Sequence, residues 1–227
     1  MKKVSNVLMW FIRIMAIILI LVNILRLFVE IEFLSFIQNP EVAIFNSILL
    51  LIFSYIKQLF EKANLRIGDL IYIASSISVI LTFMLGMIFG LLQEVQGFDK
   101  FSHLINGILL MFIGVLFLSL IEKKSTLNLL MPATIIIFAF LFAGTIGVIW
   151  EIFEYLVDII TGSNMQRFRD LETNFPFIGQ EALKDTMNDF IFNTIGSTIG
   201  SLILLLDLKG NKTLYNHMLV ERINEEI

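Results

Sequence analysis

Residues 133–158 read ATIIIFAFLFAGTIGVIWEIFEYLVD. The stretch has the length that crosses a bilayer as a helix, and no charge interrupts it before Glu151. A backbone in lipid satisfies its N–H and C=O groups only inside a helix or a closed barrel. The segment therefore predicts a transmembrane helix, and its three late acids, Glu151, Glu154 and Asp158, raise a functional question. An ionised carboxylate within a span costs about 2.5–3.5 kcal/mol on insertion scales, so a partner or a task is expected for it.

Outward from this segment the chain repeats the pattern. Of its 227 residues 57% are apolar, and the mean hydropathy is +0.87. Apolar blocks predict six spans, at about 7–29, 42–60, 70–92, 101–121, 133–158 and 186–206. The expected fold class is all-α, a polytopic membrane helix bundle forming one domain over 1–227, with a short polar tail at 207–227. The N-terminal MKKVSNVLMWFIRIMAIILILVNILRLFVE starts with positive charge, as a signal peptide does, but its long apolar part without a small-residue cleavage site predicts a retained first span. The only sizeable connection is 159–185. A formal charge of −4 with scattered basic residues gives no footprint for nucleic acid. The absence of cysteine excludes disulfides and thiolate metal sites.

Lys and Arg concentrate in cytoplasmic loops, which orients the spans. Lys2, Lys3, Lys57, Lys62, Arg66, Lys123, Lys124, Lys209, Lys212 and Arg222 fall on one side, against Lys100, Arg167, Arg169 and Lys184 on the other. Both termini are thus expected in the cytoplasm and the long loop outside. Arg13 and Arg26, within the first span, are expected to snorkel or pair.

That topology brings FDKFSHLING (98–107), the end of the opening segment, and KDTMNDFIFN (184–193) to one outer face. Asp99 and His103 are four apart, Glu151, Glu154 and Asp158 three and four, and Asp185, Asp189 and Asn193 four and four, so each set shares a helical face. Small residues continue the faces inward, at Gly107 and Gly114, Gly144 and Gly147, and Gly196 and Gly200, where helices in lipid approach closely. Asp99, Asp158 and Asp185 lie in terminal turns that reach interfacial water, and Asp185 and Asp189 also suit a helix N-terminus. The candidate catalytic residues are His103, Glu151, Glu154, Asp185 and Asp189. Lys100, Arg167 and Asn193 are candidate substrate-binding residues. His103 admits three roles, as metal ligand, as general base held by a carboxylate, or as one half of a structural pair. One imidazole with carboxylates suits Zn²⁺, Mn²⁺ or Mg²⁺, with His103, Glu154 and Asp189 as candidate ligands. His217, in the tail, is expected to be solvated. NFPFIG (174–179) reads as a short interfacial dip.

FDKFSHLING, IWEIFEYLVDIITGSNMQR and LKDTMNDFIFNTIGSTIG, in that order, resemble the YjdF-type bacterial membrane proteins and, more distantly, the VanZ-like proteins linked to glycopeptide resistance. The resemblance covers about residues 70–206. It implies a pattern of Asp and His opening one span, Trp-Glu-x-x-Glu closing the next and Asp-Thr-x-x-Asp opening the last, here Asp99, His103, Trp150, Glu151, Glu154, Asp185, Thr186 and Asp189. It implies a bacterial cell membrane location and names no reaction. Two function classes stay open: a hydrolase or modifying enzyme of an envelope or lipid-linked substrate, with or without a divalent metal, and a small-molecule or ion transporter using the same acids.

Overall fold

The computed structural model describes residues 1–37 and 39–223, apart from the side chain of Gln93. These residues are 75% helical with almost no strand. Ten α-helices follow in order: α1 (Lys2–Arg26), α2 (Pro40–Phe53), α3 (Ile56–Lys62), α4 (Asp69–Val79), α5 (Leu91–Glu94), α6 (Phe98–Ile121), α7 (Lys124–Leu127), α8 (Pro132–Thr161), α9 (Gln180–Lys209) and α10 (Thr213–Met218). Helix α4 runs on as a π-helix over Ile80–Ile88. Five helices are long and apolar enough to cross a membrane, and α2 with α3, bent by 43°, makes a sixth if the pair is one span. At 1.5 Å per residue the 30-residue α8 and α9 are about 45 Å long, so they outreach a hydrocarbon core of about 30 Å.

The bend in the second span has a local cause. Arg13 of α1 donates to the Ser54 carbonyl at 3.0 Å and to Ser54 Oγ at 3.3 Å, drawing a backbone acceptor out of the helix ladder. Its guanidinium lies 3.8 Å from the Tyr55 ring centroid and 4.8 Å from that of Trp10. Arg13 is buried, so of the two expectations, snorkelling or pairing, it meets the second. Arg26 donates to Asn23 Oδ1 at 2.6 Å and to the Ile37 carbonyl at 3.0 Å.

Two groups of helices share the core. Ile12, Ala16, Leu50, Met84 and Ile88 join α1, α2 and the π-helix, whereas Met111, Val115, Ala139 and Leu204 join α6, α8 and α9. Glycine sets the closest approach. A Cβ at Gly107 would strike the Asn193 carbonyl and one at Gly196 the Leu104 carbonyl, so α6 and α9 meet backbone to backbone.

The segment after Lys209 packs back onto the bundle, where a short polar tail was expected. Asp207 caps α10 through the Leu214 and Tyr215 amides at 2.9 and 2.8 Å, Tyr215, Met218, Leu219 and Val220 are buried, and Glu221–Arg222 pair antiparallel with Leu65–Arg66. The polar sequence hid four apolar residues spaced to fill the gap beneath α4 and α6. His217 is exposed, as expected. Lys2, Lys57, Arg66 and Lys124 border one cavity of about 790 Å³ at this end of the bundle. The acids from the opening segment lie at the other end.

Candidate functional site

Two glycines with positive φ, Gly90 (72°) and Gly97 (82°), turn the chain from the π-helix into α6, conformations that favour a residue without Cβ. The first turns of α6 thereby face the first turns of α9. Between them Lys100 Nζ lies 2.9 Å from Asp99 Oδ2, 2.6 Å from Asp185 Oδ1 and 2.7 Å from Asp189 Oδ1. The three hydrogens of its ammonium thus meet three carboxylates. Charge-assisted hydrogen bonds of this length are about twice as strong as neutral ones, and this lysine, a candidate for meeting substrate, ties two helices together. Asp189 is 1% and Asp99 7% exposed.

His103 stands beside this ion cluster. Its Nε2 is 3.7 Å from Asp99 Oδ1 and 3.6 Å from Asp189 Oδ1. Among the described residues, Asp99, His103 and Asp189 form a group whose ligand atoms all lie within 4.8 Å of one another. A divalent first-row ion bonds N and O at about 2.0–2.2 Å, which puts neighbouring donors ~3–4 Å apart, so the donor set fits such an ion. Glu154, expected among the ligands, stands outside this group. Its Oε1 accepts from Trp150 Nε1 at 2.8 Å, four residues back on the same face.

Glu151 and Glu154, three apart on α8, diverge. Glu154 lines the cavities described below, while Glu151, 4% exposed, lies by Thr186 and Gln166, and neither of its oxygens completes a hydrogen bond. Asn193 donates to the Ala143 carbonyl at 3.3 Å and packs on Gly147, bracing α9 against α8.

The loop between α8 and α9 folds over the cluster: of Asp99, Asp158 and Asp185, expected in turns that reach interfacial water, the first two are 7% exposed and the Asp185 side chain 10%. Asp158 accepts from Ser163 Oγ at 2.6 Å, the Met165 amide at 2.7 Å and the Gln166 amide at 3.0 Å. These bonds hold the chain so that Arg167, at φ 47°, points inward, its guanidinium 3.9 Å from both Asp99 Oδ2 and Asp185 Oδ1 and bonded to the Leu92 carbonyl. Beyond it, residues 168–177 form a hairpin through Phe177 to Phe168 and Asp170 to Phe175 amide–carbonyl bonds. Hydrogen bonds from the Thr173 backbone hold the Asp170 carboxyl below the usual carboxylate range. Phe175 and Ile178 are 73% and 89% exposed, so NFPFIG offers its apolar residues outward.

Two cavities meet at this site. The inner one, about 210 Å³, lies between the π-helix, α6 and α8, and the outer one, about 290 Å³, lies beneath the loop toward α2. Asp99, Glu154 and Leu92 border both. The inner wall also holds a polar chain: Ser78 donates to Asn106 Oδ1 at 2.6 Å and Asn106 to Thr82 Oγ1 at 2.9 Å. Sequence reasoning missed Ser78, Thr82, Ser102 and Asn106. The available signal was polar residues four apart inside apolar runs.

The profile of the family described as "Predicted membrane protein (DUF2238)" matches residues 7–210. The chain belongs to this family. The YjdF-type proteins, which the three motifs resemble, are the same family. No curated protein and no solved structure matches the chain. Family membership makes this a membrane protein and assigns DUF2238 no reaction.

Proposed function

We propose that the protein is an enzyme of the outer membrane face, with Asp99, His103 and Asp189 as its reactive centre around a divalent cation, acting on an amphipathic, lipid-linked or envelope substrate. The observation that carries this reading is the convergence of an imidazole nitrogen and two carboxylate oxygens within 4.8 Å, with Asp99 and His103 of that group lining the inner cavity. When bound, such an ion supplies a Lewis acid and an acidified water. The chain's own residues then have distinct tasks. Lys100 and Arg167 offset the acids and orient Asp99 and Asp185. Glu154, fixed by Trp150, faces the bound substrate as an acid–base group, and Glu151 and Asp185 support α8 and α9 at the same end. Asn193 positions the inner wall, and Arg167 meets an anionic portion of the substrate from the outer cavity.

The setting follows the sequence expectations: one integral unit in the bacterial inner membrane, both termini cytoplasmic by the positive-inside rule, lipid as its surroundings and no nucleic acid as partner. Elemental analysis of protein purified without chelator tests the metal. Near-stoichiometric Zn, Mn or Mg, lost on chelation with a lowered melting temperature and reduced by His103→Ala, supports it. Metal-free protein whose melting temperature ignores all three ions overturns it.

One observation favours a second reading, transport of a cation or small molecule by the same acids: both cavities lie along the seam between the two helix groups, where alternating access would open. The acids collect toward one end, whereas transporter sites lie near the midplane. Uptake into proteoliposomes abolished by Asp189→Asn would establish it.

A further inference from the structure

We propose that the inner cavity binds an organic ammonium group, the head of an amphipathic amine. The proposal is independent of a bound metal. The inner cavity is lined by Asp99 and Glu154, 7% and 5% exposed, and by no lysine or arginine. Phe83 and Trp150 stand edge to face with centroids 6.2 Å apart in its wall, and the Trp150 indole fixes Glu154 Oε1. Aromatic faces beside a carboxylate are how proteins hold alkylammonium ions away from water.

Ser102 points to a ligand independently. It is 3% exposed, it borders this cavity, and its hydroxyl has no hydrogen-bond partner. The buried serines Ser76 and Ser197, by contrast, return a bond to the carbonyl four residues back at 2.7 and 2.8 Å. A buried hydroxyl left unpaired is costly, and a ligand N–H entering the cavity satisfies it.

Charge selects the ligand's sign. Arg167 borders only the outer cavity and Lys100 borders neither, so the inner cavity presents two carboxyl groups and no lysine or arginine to its contents. The outer cavity supplies the rest of the ligand's shape. Val42, Met87, Val157 and Leu171 line it, and it shares Asp99 and Glu154 with the inner one, so a chain attached to the ammonium lies along an apolar wall.

The test uses full-length protein in a nonionic detergent with three probes of one chain length: octylammonium, 1-octanol and octyl phosphate. Octylammonium should raise the melting temperature and bind at least tenfold more tightly than either partner. Glu154→Gln and Trp150→Phe should each weaken it tenfold or more, Ser102→Ala severalfold, and Lys184→Gln, at an exposed lysine that borders neither cavity, not at all. Equal affinity for the alcohol, preference for the phosphate, or unchanged binding in both Trp150→Phe and Ser102→Ala overturns the proposal. If Glu154→Gln does not fold, the other two variants decide it. Metal content measured on the same preparations separates the outcomes: ammonium binding without metal leaves this proposal standing and removes the metalloenzyme, and the reverse does the opposite.

Discussion

Lys100 Nζ lies 2.7 Å from Asp189 Oδ1, so the third turn of α9 is fastened to the first turn of α6 by one ammonium. The same nitrogen reaches Asp99 and Asp185. Three carboxylates crowded this closely require compensating positive charge, and the chain carries that charge itself.

Removing it has a predictable cost. Lys100→Met should destabilise the protein by on the order of 3 kcal/mol, because breaking a buried ion network leaves uncompensated charge. Added Mg²⁺ or Mn²⁺ should restore more of the melting temperature in the variant than in the parent, since a mobile cation takes over the same oxygens. Melting curves in detergent with and without each ion measure both effects. A variant as stable as the parent in chelator would show that the acids do not depend on Lys100.

Asp158→Asn should release the loop. The carboxylate accepts three hydrogen bonds from residues 163–166, and an amide keeps one acceptor oxygen and adds donors facing donors. Cleavage between residues 163 and 179 by limited proteolysis should accelerate several-fold, while the melting temperature changes by less than in Lys100→Met. Unaltered proteolysis would mean that the loop is held elsewhere.

The paired glycines separate close approach from helix propensity. Gly196→Ala pushes a methyl onto the Leu104 carbonyl and should cost about 1–3 kcal/mol or more, the range for overpacking. Gly144→Ala meets nothing within 4 Å and should be neutral or gain up to about 1 kcal/mol, since alanine is the better helix former. Chemical unfolding of the two variants side by side checks the contrast, and equal losses would refute the packing account.

Sidedness is accessible because the chain has no cysteine. Single cysteines at Glu172, exposed in the outer loop, and Ser125, exposed in α7, should differ on intact cells. Position 172 should react with an impermeant thiol reagent and 125 only after lysis. The opposite pattern would turn the acid site toward the cytoplasm. Ser163 is a poorer probe, because its hydroxyl binds Asp158.

Much of this was legible in the residue order. Apolar blocks announce the helices, since lipid leaves the backbone no other course, and spacings of four place Asp99 with His103 and Asp185 with Asp189. Lys100 as their common partner was not legible. Adjacent residues do not share a helix face, and only the long, flexible lysine stem brings its charge round to Asp99. Glu151 and Glu154 looked equivalent in sequence, yet three residues of helix turn one toward Thr186 and the other into the cavities. The Arg13 contact that bends the second span depends on which helix lies beside α1, information that hydropathy does not carry. Ser78 and Thr82 were masked for a similar reason, because a hydroxyl in an apolar run is most simply satisfied by its own helix.

The glycine contact between α6 and α9 has a mechanical side. Asp99, Lys100 and His103 ride on one member of that pair and Asp185 and Asp189 on the other, so the close backbone contact sets the spacing among them. Ser78, Thr82 and Phe83 belong to the opposite helix group and cross to α6 through the Asn106 amide. A ligand in the inner cavity therefore lies between charge carried on α6 and hydroxyls and an aromatic ring carried on α4 and the π-helix, two walls joined by the Asn106 amide.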